Sequence, residues 1–425
     1  MVAHLQNGPR LGLVLSGGGA RGAYEAGVIH YMRTMLPQEL WKYRDFSILC
    51  GSSVGAINAC FMAATAHNLA YQGANIYEFW KTLKQEDIYR RDILSLAKFA
   101  STSFYAVAKN ILLRKIDKPE KNYKKDHFKG LLNTAPFAPF LQKIIPWKQI
   151  SVNIKNRALM AASVTTTNIV TGKMELFVEK HPDLPYTGHY IFHDTKLEFQ
   201  HAMASAAIPL IFPTVKVGRC HYLDGGLRLN TPLSPAIQLG AEKILVIGPH
   251  HQEEGFDHVK SCDVSNGENP PSLGMILGKI LSSIFIDKLD YDIEQMNRIN
   301  RLIDWGRGCY GEDFVERINH YLQDNQIKGD IANRGLKKLS VMEVFPSEDI
   351  RDIFFQAVSR SGNFNAGLTS FEKILLKVLD VDLETGKDFL SFIMFDPEYI
   401  KCLIDLGFED ARKRHDQLVE FFATD

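Results

Sequence analysis

Apolar residues along the chain fall into short unbroken runs separated by stretches with helical periodicity. Leu11-Gly-Leu-Val-Leu-Ser16 is one such run; after it Ala23, Ala26, Met32 and Met35 recur at helical spacing. A second run begins at Phe46 and turns abruptly at Gly51-Ser-Ser-Val-Gly55, and the small residues of 56–64 then favour a helix. Extended segments are predicted at 157–164, 174–179, just before Asp224, at 243–248 and at 339–345. The small residues of 202–213 read as a tightly packed helix that Pro209 terminates. Strands alternating in this way with helices predict an α/β sheet covered on both faces.

Two long stretches depart from that alternation. Residues 70–150 are mostly helical in pattern and basic; Arg90, Arg91, Lys98, Lys109, Arg114 and Lys115 are interleaved with apolar residues, and Pro136, Pro139 and Pro146 close the stretch. It reads either as a membrane-surface or lid element or as a solvated helical face followed by a lysine-rich loop. Residues 271–300 form one amphipathic helical pattern with Met275, Leu277, Ile280, Leu281, Ile284, Phe285 and Leu289 on a stripe that suits the core. Beyond Pro346 the pattern is helical to the end, including 371–379, 388–395 and 396–422.

Composition narrows the function only by exclusion. Lys+Arg and Asp+Glu both total 49, so no global basic field favours nucleic acid. Cys50, Cys60, Cys220, Cys262, Cys309 and Cys402 are scattered, which argues against a zinc site and a disulfide framework. No apolar run reaches the ~18 residues of a membrane-spanning helix, and no charged-then-apolar leader opens the sequence. The expectation is a protein of the cytoplasm that meets any membrane peripherally, with export by another route left open.

The chemistry concentrates in three turns that follow strands. Gly51, Ser53 and Gly55 satisfy G-x-S-x-G between a strand and a helix, the context of a nucleophile elbow, with Ser53 rather than Ser52 on the strained corner. Gly17, Gly19 and Gly22 satisfy the dinucleotide pattern G-x-G-x-x-G, but a ribose-binding acid at the end of a second strand is wanting, since no strand pattern precedes Glu39. The amides of Gly17, Gly18 and Gly19 suit an oxyanion equally well. Arg21 either adds a fixed positive charge there or pins the loop to carbonyls. Asp224-Gly225-Gly226 places a carboxylate on a tight turn, although Asp-Gly is also a hairpin signal.

Taken in order, Gly17-Gly-Gly-Ala-Arg-Gly22, Gly51-Ser-Ser-Val-Gly55 and Asp224-Gly-Gly226, with 204–213 before the last, resemble the patatin-like phospholipases. That resemblance implies a three-layer α/β/α fold with a central, mostly parallel sheet. It implies a catalytic domain over about 10–345, with a basic helical insertion near 80–150, and a C-terminal helical extension over 346–425. It further implies a lipid acyl hydrolase of the phospholipase A or lysophospholipase type, with Ser53 as nucleophile, Asp224 as general base, Gly17 to Gly19 as oxyanion hole, and Arg21, Gly22, Gly51, Gly55, Gly225 and Gly226 in support. An acyl lipid would be the substrate, with no metal or other cofactor. A Ser-His-Asp triad drawing on His201, His221, His250 or His251 is the rival within the class, and a catalytically silent scaffold docking on a membrane or protein is the rival outside it.

Overall fold

The computed structural model describes residues 9–43, 45–90, 130–186, 188–250, 289–327, 335–360 and 383–424, with four isolated positions between 276 and 283. Its centre is a nine-stranded sheet. The strands are β1 (Leu11–Leu15), β2 (Phe46–Ser52), β3 (Ala161–Asn168), β4 (Met174–Lys180), β5 (Ile191–Asp194), β6 (Val215–Val217), β7 (Cys220–Asp224), β8 (Lys243–Ile247) and β9 (Ser340–Val344). Their order is β5-β4-β3-β2-β1-β8-β9, with β7 paired to both β3 and β6. The pairs from β3 through β2, β1 and β8 to β9 are parallel, and β4 and β7 run antiparallel to β3. This is the helix-covered α/β sheet that the alternating pattern predicts, and it is mostly parallel, as the resemblance implies. Every residue of β1, β2 and β8 is buried, as central strands covered on both faces require.

The helices that position the site are α1 (Ala23–Met35), α2 (Val54–Thr65), α3 (Leu69–Thr82), α4 (Phe199–Ser205), α5 (Leu289–Tyr310), α6 (Leu383–Ile393), α7 (Pro397–Lys413) and α8 (His415–Ala423). α1 packs against α7 at glycine contacts: a Cβ on Gly27 would lie 2.1 Å from the Ile404 carbonyl oxygen, and one on Gly407 equally close to that of Tyr24. Such an approach is open only to glycine. The helices beyond 346 therefore belong to the same apolar core as β1 and α1, with Phe392, Tyr399, Leu403 and Phe422 buried among Leu13, Tyr24 and Phe46.

Several boundaries differ from the periodic pattern. The strand expected at 157–164 begins at Ala161, because residues 156–158 turn and Arg157 takes a positive φ of 59°. β5 and β6 carry too few alternating apolar residues to stand out, being four and three residues long. α4 starts at Phe199, where the Glu198 amide donates to His201 Nδ1, and ends at Ser205, well before Pro209. α5 runs ten residues past Asn300, and of its expected core stripe Leu289 is buried while Ile280 is exposed. Residues 91–129, which hold most of the basic stretch, most of 271–288, the segment 371–379, Cys262 and His251 lie outside the described residues. No helix among the described residues is long and apolar enough to cross a membrane.

Candidate active site

The edge of β3 determines where the side chains of Ser53 and Asp224 meet. Along that edge Thr165 pairs with Ser52, the last residue of β2, and the next residue, Thr166, pairs with Asp224, the last residue of β7. β2 and β7 thus arrive end to end from opposite directions on one neighbour. Gly225 is needed at the junction, because a Cβ there would stand 2.2 Å from the Thr165 carbonyl oxygen and 2.8 Å from Ser52 Oγ. The chain then turns directly from β2 into α2 at Ser53, which holds φ 52° and ψ −125°. A positive φ is strained for any residue with a Cβ, and here it drives the hydroxyl out of the strand line. Gly51 and Gly55 make the corner possible: a Cβ on Gly51 would lie 2.3 Å from the Gly55 carbonyl oxygen, and one on Gly55 equally close to that of Leu15.

Ser53 Oγ donates to Asp224 Oδ2 at 2.6 Å, and the other carboxylate oxygen accepts the Gly226 amide at 2.8 Å. The Asp224 amide donates to the Ala207 carbonyl and its own carbonyl accepts the Thr167 hydroxyl, so the residue is held from four directions. Asp224 is fully buried and Ser53 is 1% exposed. Burial pushes the Asp224 carboxyl up to about 7, against the lowering effect of its two hydrogen bonds. Ser205 supports the elbow from the back; its hydroxyl accepts the Ser53 amide at 2.9 Å and donates to the Thr165 carbonyl at 2.6 Å.

The glycine turn lies on the other side of Ser53. A Cβ on Gly17 would come within 2.9 Å of Ser53 Cβ. The Gly17 amide, however, donates to the Asn230 carbonyl at 3.2 Å, and Asn230 Nδ2 returns a bond to the Gly17 carbonyl. Of the three amides expected to face an oxyanion, one is thus engaged in fixing the loop. Those of Gly18 and Gly19 have no acceptor among the described residues, and Gly19 takes a positive φ of 58°. Behind the turn, Glu25 is fully buried, and desolvation holds its carboxyl well above the usual carboxylate range. Asn58 donates to both Glu25 and the Gly22 carbonyl, and it accepts the Trp80 indole N–H.

Arg21 resolves toward the pinning role, but its partners come from the other end of the chain. Its guanidinium donates to Ser391 Oγ at 2.6 and 3.1 Å and to Asp388 Oδ1 at 3.0 Å, and it lies 3.7 Å from the centroid of the Phe392 ring. The helical pattern at 388–395 covers these α6 residues, but nothing in the sequence marked them as partners of Arg21. Among the candidate histidines, His201 is buried, accepts the Glu198 amide and is driven down to about 4 by desolvation. His221 bonds Thr214, and His250 bonds Asn230. None of the three reaches Ser53. No cluster of His, Cys, Asp and Glu that could hold a metal occurs among the described residues.

Ser53 opens into a narrow pocket whose other walls are apolar. Val54 and Ile57 of α2, Phe79 and Trp80 of α3, and Phe137 and Phe140 line it, together with Phe392 and Phe395. No charged side chain among the described residues lines it.

A family model described as patatin-like phospholipase matches residues 13–237. No curated protein matches the chain. Among solved structures, VipD from Legionella pneumophila aligns over 98% of this chain and 69% of its own, at 13% identity and a TM-score of 0.34. Human GIVD cytosolic phospholipase A2, in complex with methyl gamma-linolenyl fluorophosphonate, aligns over 98% of this chain and 58% of its own, at 12% identity and a TM-score of 0.37. Likenesses at these scores carry no argument about substrate or mechanism.

Proposed function

The chain belongs to the patatin-like phospholipase family, and from that premise we propose that it cleaves acyl esters of lipids through Ser53 and Asp224 by way of an acyl-enzyme. The observation that carries the reading is the 2.6 Å hydrogen bond to a buried carboxylate from the Oγ of Ser53, a residue that lines an apolar pocket. A carboxylate at its ordinary pKa is a weak base at neutral pH; one raised to about 7 is matched to accepting a hydroxyl proton there.

In the proposed reaction Ser53 Oγ attacks the ester carbonyl as Asp224 Oδ2 takes its proton. The carbonyl oxygen becomes an oxyanion held by the Gly18 and Gly19 amides. The tetrahedral intermediate collapses, the C–O bond to the alcohol breaks, and the departing alkoxide takes the proton from Asp224. Water then attacks the acyl-Ser53 ester, with Asp224 accepting its proton. Collapse returns that proton to Ser53 Oγ and frees the fatty acid. The apolar pocket beside Ser53 suits an acyl chain and offers nothing to a polar acid.

The test is acid release from acyl esters of short and long chain, phospholipid vesicles among them, by wild type, Ser53→Ala and Asp224→Asn, with covalent labelling of wild type by a fluorophosphonate. Release lost in both variants, with Ser53 labelled, supports the reading. Release surviving Ser53→Ala overturns it, and a wild type that neither labels nor cleaves any acyl ester leaves the silent scaffold in its place.

A further inference from the structure

The acyl pocket is not built by the catalytic motifs alone. Phe392, in the last turn of α6, and Phe395, just before α7, close it from the C-terminal end of the chain. With them in place the free volume is about 30 Å3, room for roughly one water-sized group. Sites for drug-sized ligands run to several hundred Å3.

The two rings are held in position by specific contacts. The Phe392 carbonyl oxygen stands against Gly19, where an added Cβ would lie 2.1 Å away. Its ring lies under the Arg21 guanidinium, which is tied in turn to Asp388 and Ser391. Tyr89 donates its hydroxyl to the Ile393 carbonyl at 3.1 Å, and Tyr399 donates to the Ser391 carbonyl at 3.3 Å. Asp396, next to Phe395, caps α7 by accepting the Glu398 and Tyr399 amides. Both aromatic residues therefore sit on backbone fixed from the glycine turn on one side and from α7 on the other.

On the acyl-ester reading above, we infer that Phe392 and Phe395 set the acyl-chain length this protein accepts. The wall they form restricts efficient turnover to short acyl groups. Ser53 and Gly19 share this pocket with Phe392 and Phe395, so an acyl chain whose carbonyl is held at Ser53 and Gly19 has to find its room among those two rings as it lengthens. Replacing one of them by a small residue opens an apolar void. Engineered voids of that kind, on the order of 150 Å3, stay dry and bind benzene-sized groups. Each further methylene then buried is worth roughly fourfold in kcat/KM.

The experiment measures kcat/KM on p-nitrophenyl acetate, butyrate, octanoate and palmitate for wild type, Phe392→Leu, Phe395→Leu, Phe395→Ala and Leu418→Ala. In parallel it measures Ser53 labelling by ethyl and dodecyl fluorophosphonates, read by intact mass. Leu418 is buried in α8 but does not line the pocket, so its variant controls for general loosening. Wild type is expected to favour butyrate over octanoate and the ethyl probe over the dodecyl one. Phe395→Ala should raise the octanoate-to-butyrate ratio by at least about tenfold, two or more methylenes' worth, and the leucine variants should fall between. An unchanged ratio in every pocket variant, or the same shift in Leu418→Ala, overturns the inference while leaving Ser53 as nucleophile. Failure of folded wild type to label with either probe overturns the nucleophile itself.

Discussion

Asp224→Asn should abolish ester cleavage and yet stabilise the fold at neutral pH. In the native protein the Asp224 carboxyl is pushed from 3.8 up to about 7 by burial, so its charged form is the disfavoured one. The native state binds this proton below about 7 and the unfolded chain only below about 3.8, so native Asp224 adds stability at low pH that is lost as pH rises between those values. At ~1.4 kcal/mol per pKa unit, the charged carboxylate costs on the order of 4 kcal/mol above neutrality. Asparagine removes that cost but loses an acceptor. The two carboxylate oxygens accept from Ser53 and Gly226, and only one can be replaced by a carbonyl, a loss of ~1 kcal/mol. The expected net gain is ~2–3 kcal/mol at pH 8, narrowing by ~1.4 kcal/mol per pH unit below about 7. Urea unfolding of both proteins from pH 8 to pH 5 measures it. A variant no more stable than wild type at pH 8, or a difference that does not change with pH, would show that Asp224 ionises at its ordinary value.

The same group predicts a pH–rate profile: kcat/KM should fall about tenfold per pH unit below about 7, because only ionised Asp224 can take the Ser53 proton. A level profile down to pH 5 on a soluble ester would refute that role. Arg21→Ala should cost about 3 kcal/mol in urea unfolding, since it breaks a largely buried pair with Asp388 whose side chains are 11% and 12% exposed. Arg21→Lys should not restore it, because the guanidinium uses both Nε and Nη2 toward Ser391; a loss under ~1 kcal/mol would mean that α6 does not depend on this contact. Ser53→Gly should be about 1 kcal/mol more stable than Ser53→Ala by thermal or urea unfolding, because relief of a positive φ, worth ~1–3 kcal/mol, exceeds glycine's entropic cost of ~0.5–1 kcal/mol. Equal stability would argue against strain at the elbow.

The sheet and the Ser53 elbow were legible because both rest on local chemistry. A buried parallel strand is an unbroken apolar run, and a strained corner demands glycines at fixed offsets, so β1, β2, β8 and the Ser53 elbow stand out in the primary sequence. The support around them rests on pairings across hundreds of residues. Arg21 with Asp388, Ser53 with Ser205, and Gly17 with Asn230 leave no periodic trace. Ser205 lies in a small-residue stretch whose pattern was visible but whose role was not. The Gly17 amide illustrates the same gap from the other side: three consecutive glycines promise three donors, and only the long-range bond to Asn230 shows that one is already used.

The unfavourable features of this site converge on one point, and so do the features that hold it. A strained serine, a buried carboxylate and a loop with two amides that meet no acceptor among the described residues all lie where β2, β7 and the glycine turn meet. Each alone would tend to relax: the serine by flipping its backbone, the carboxylate by reaching water, the loop by folding its amides inward. The register on β3 stops the first, because Ser52 and Asp224 are fixed on adjacent residues of one strand. Complete burial of Asp224, with its carboxylate held by the Gly226 amide, stops the second. The third is stopped by α6, whose Phe392 carbonyl fills the space beside Gly19 and whose Asp388 and Ser391 hold Arg21. The C-terminal helices therefore act on the site twice, as the brace of the glycine turn and as the wall of the pocket. Truncating the chain before Leu383 would remove both at once, which is why point variants at Phe395, rather than deletions, can separate acyl selectivity from loop order.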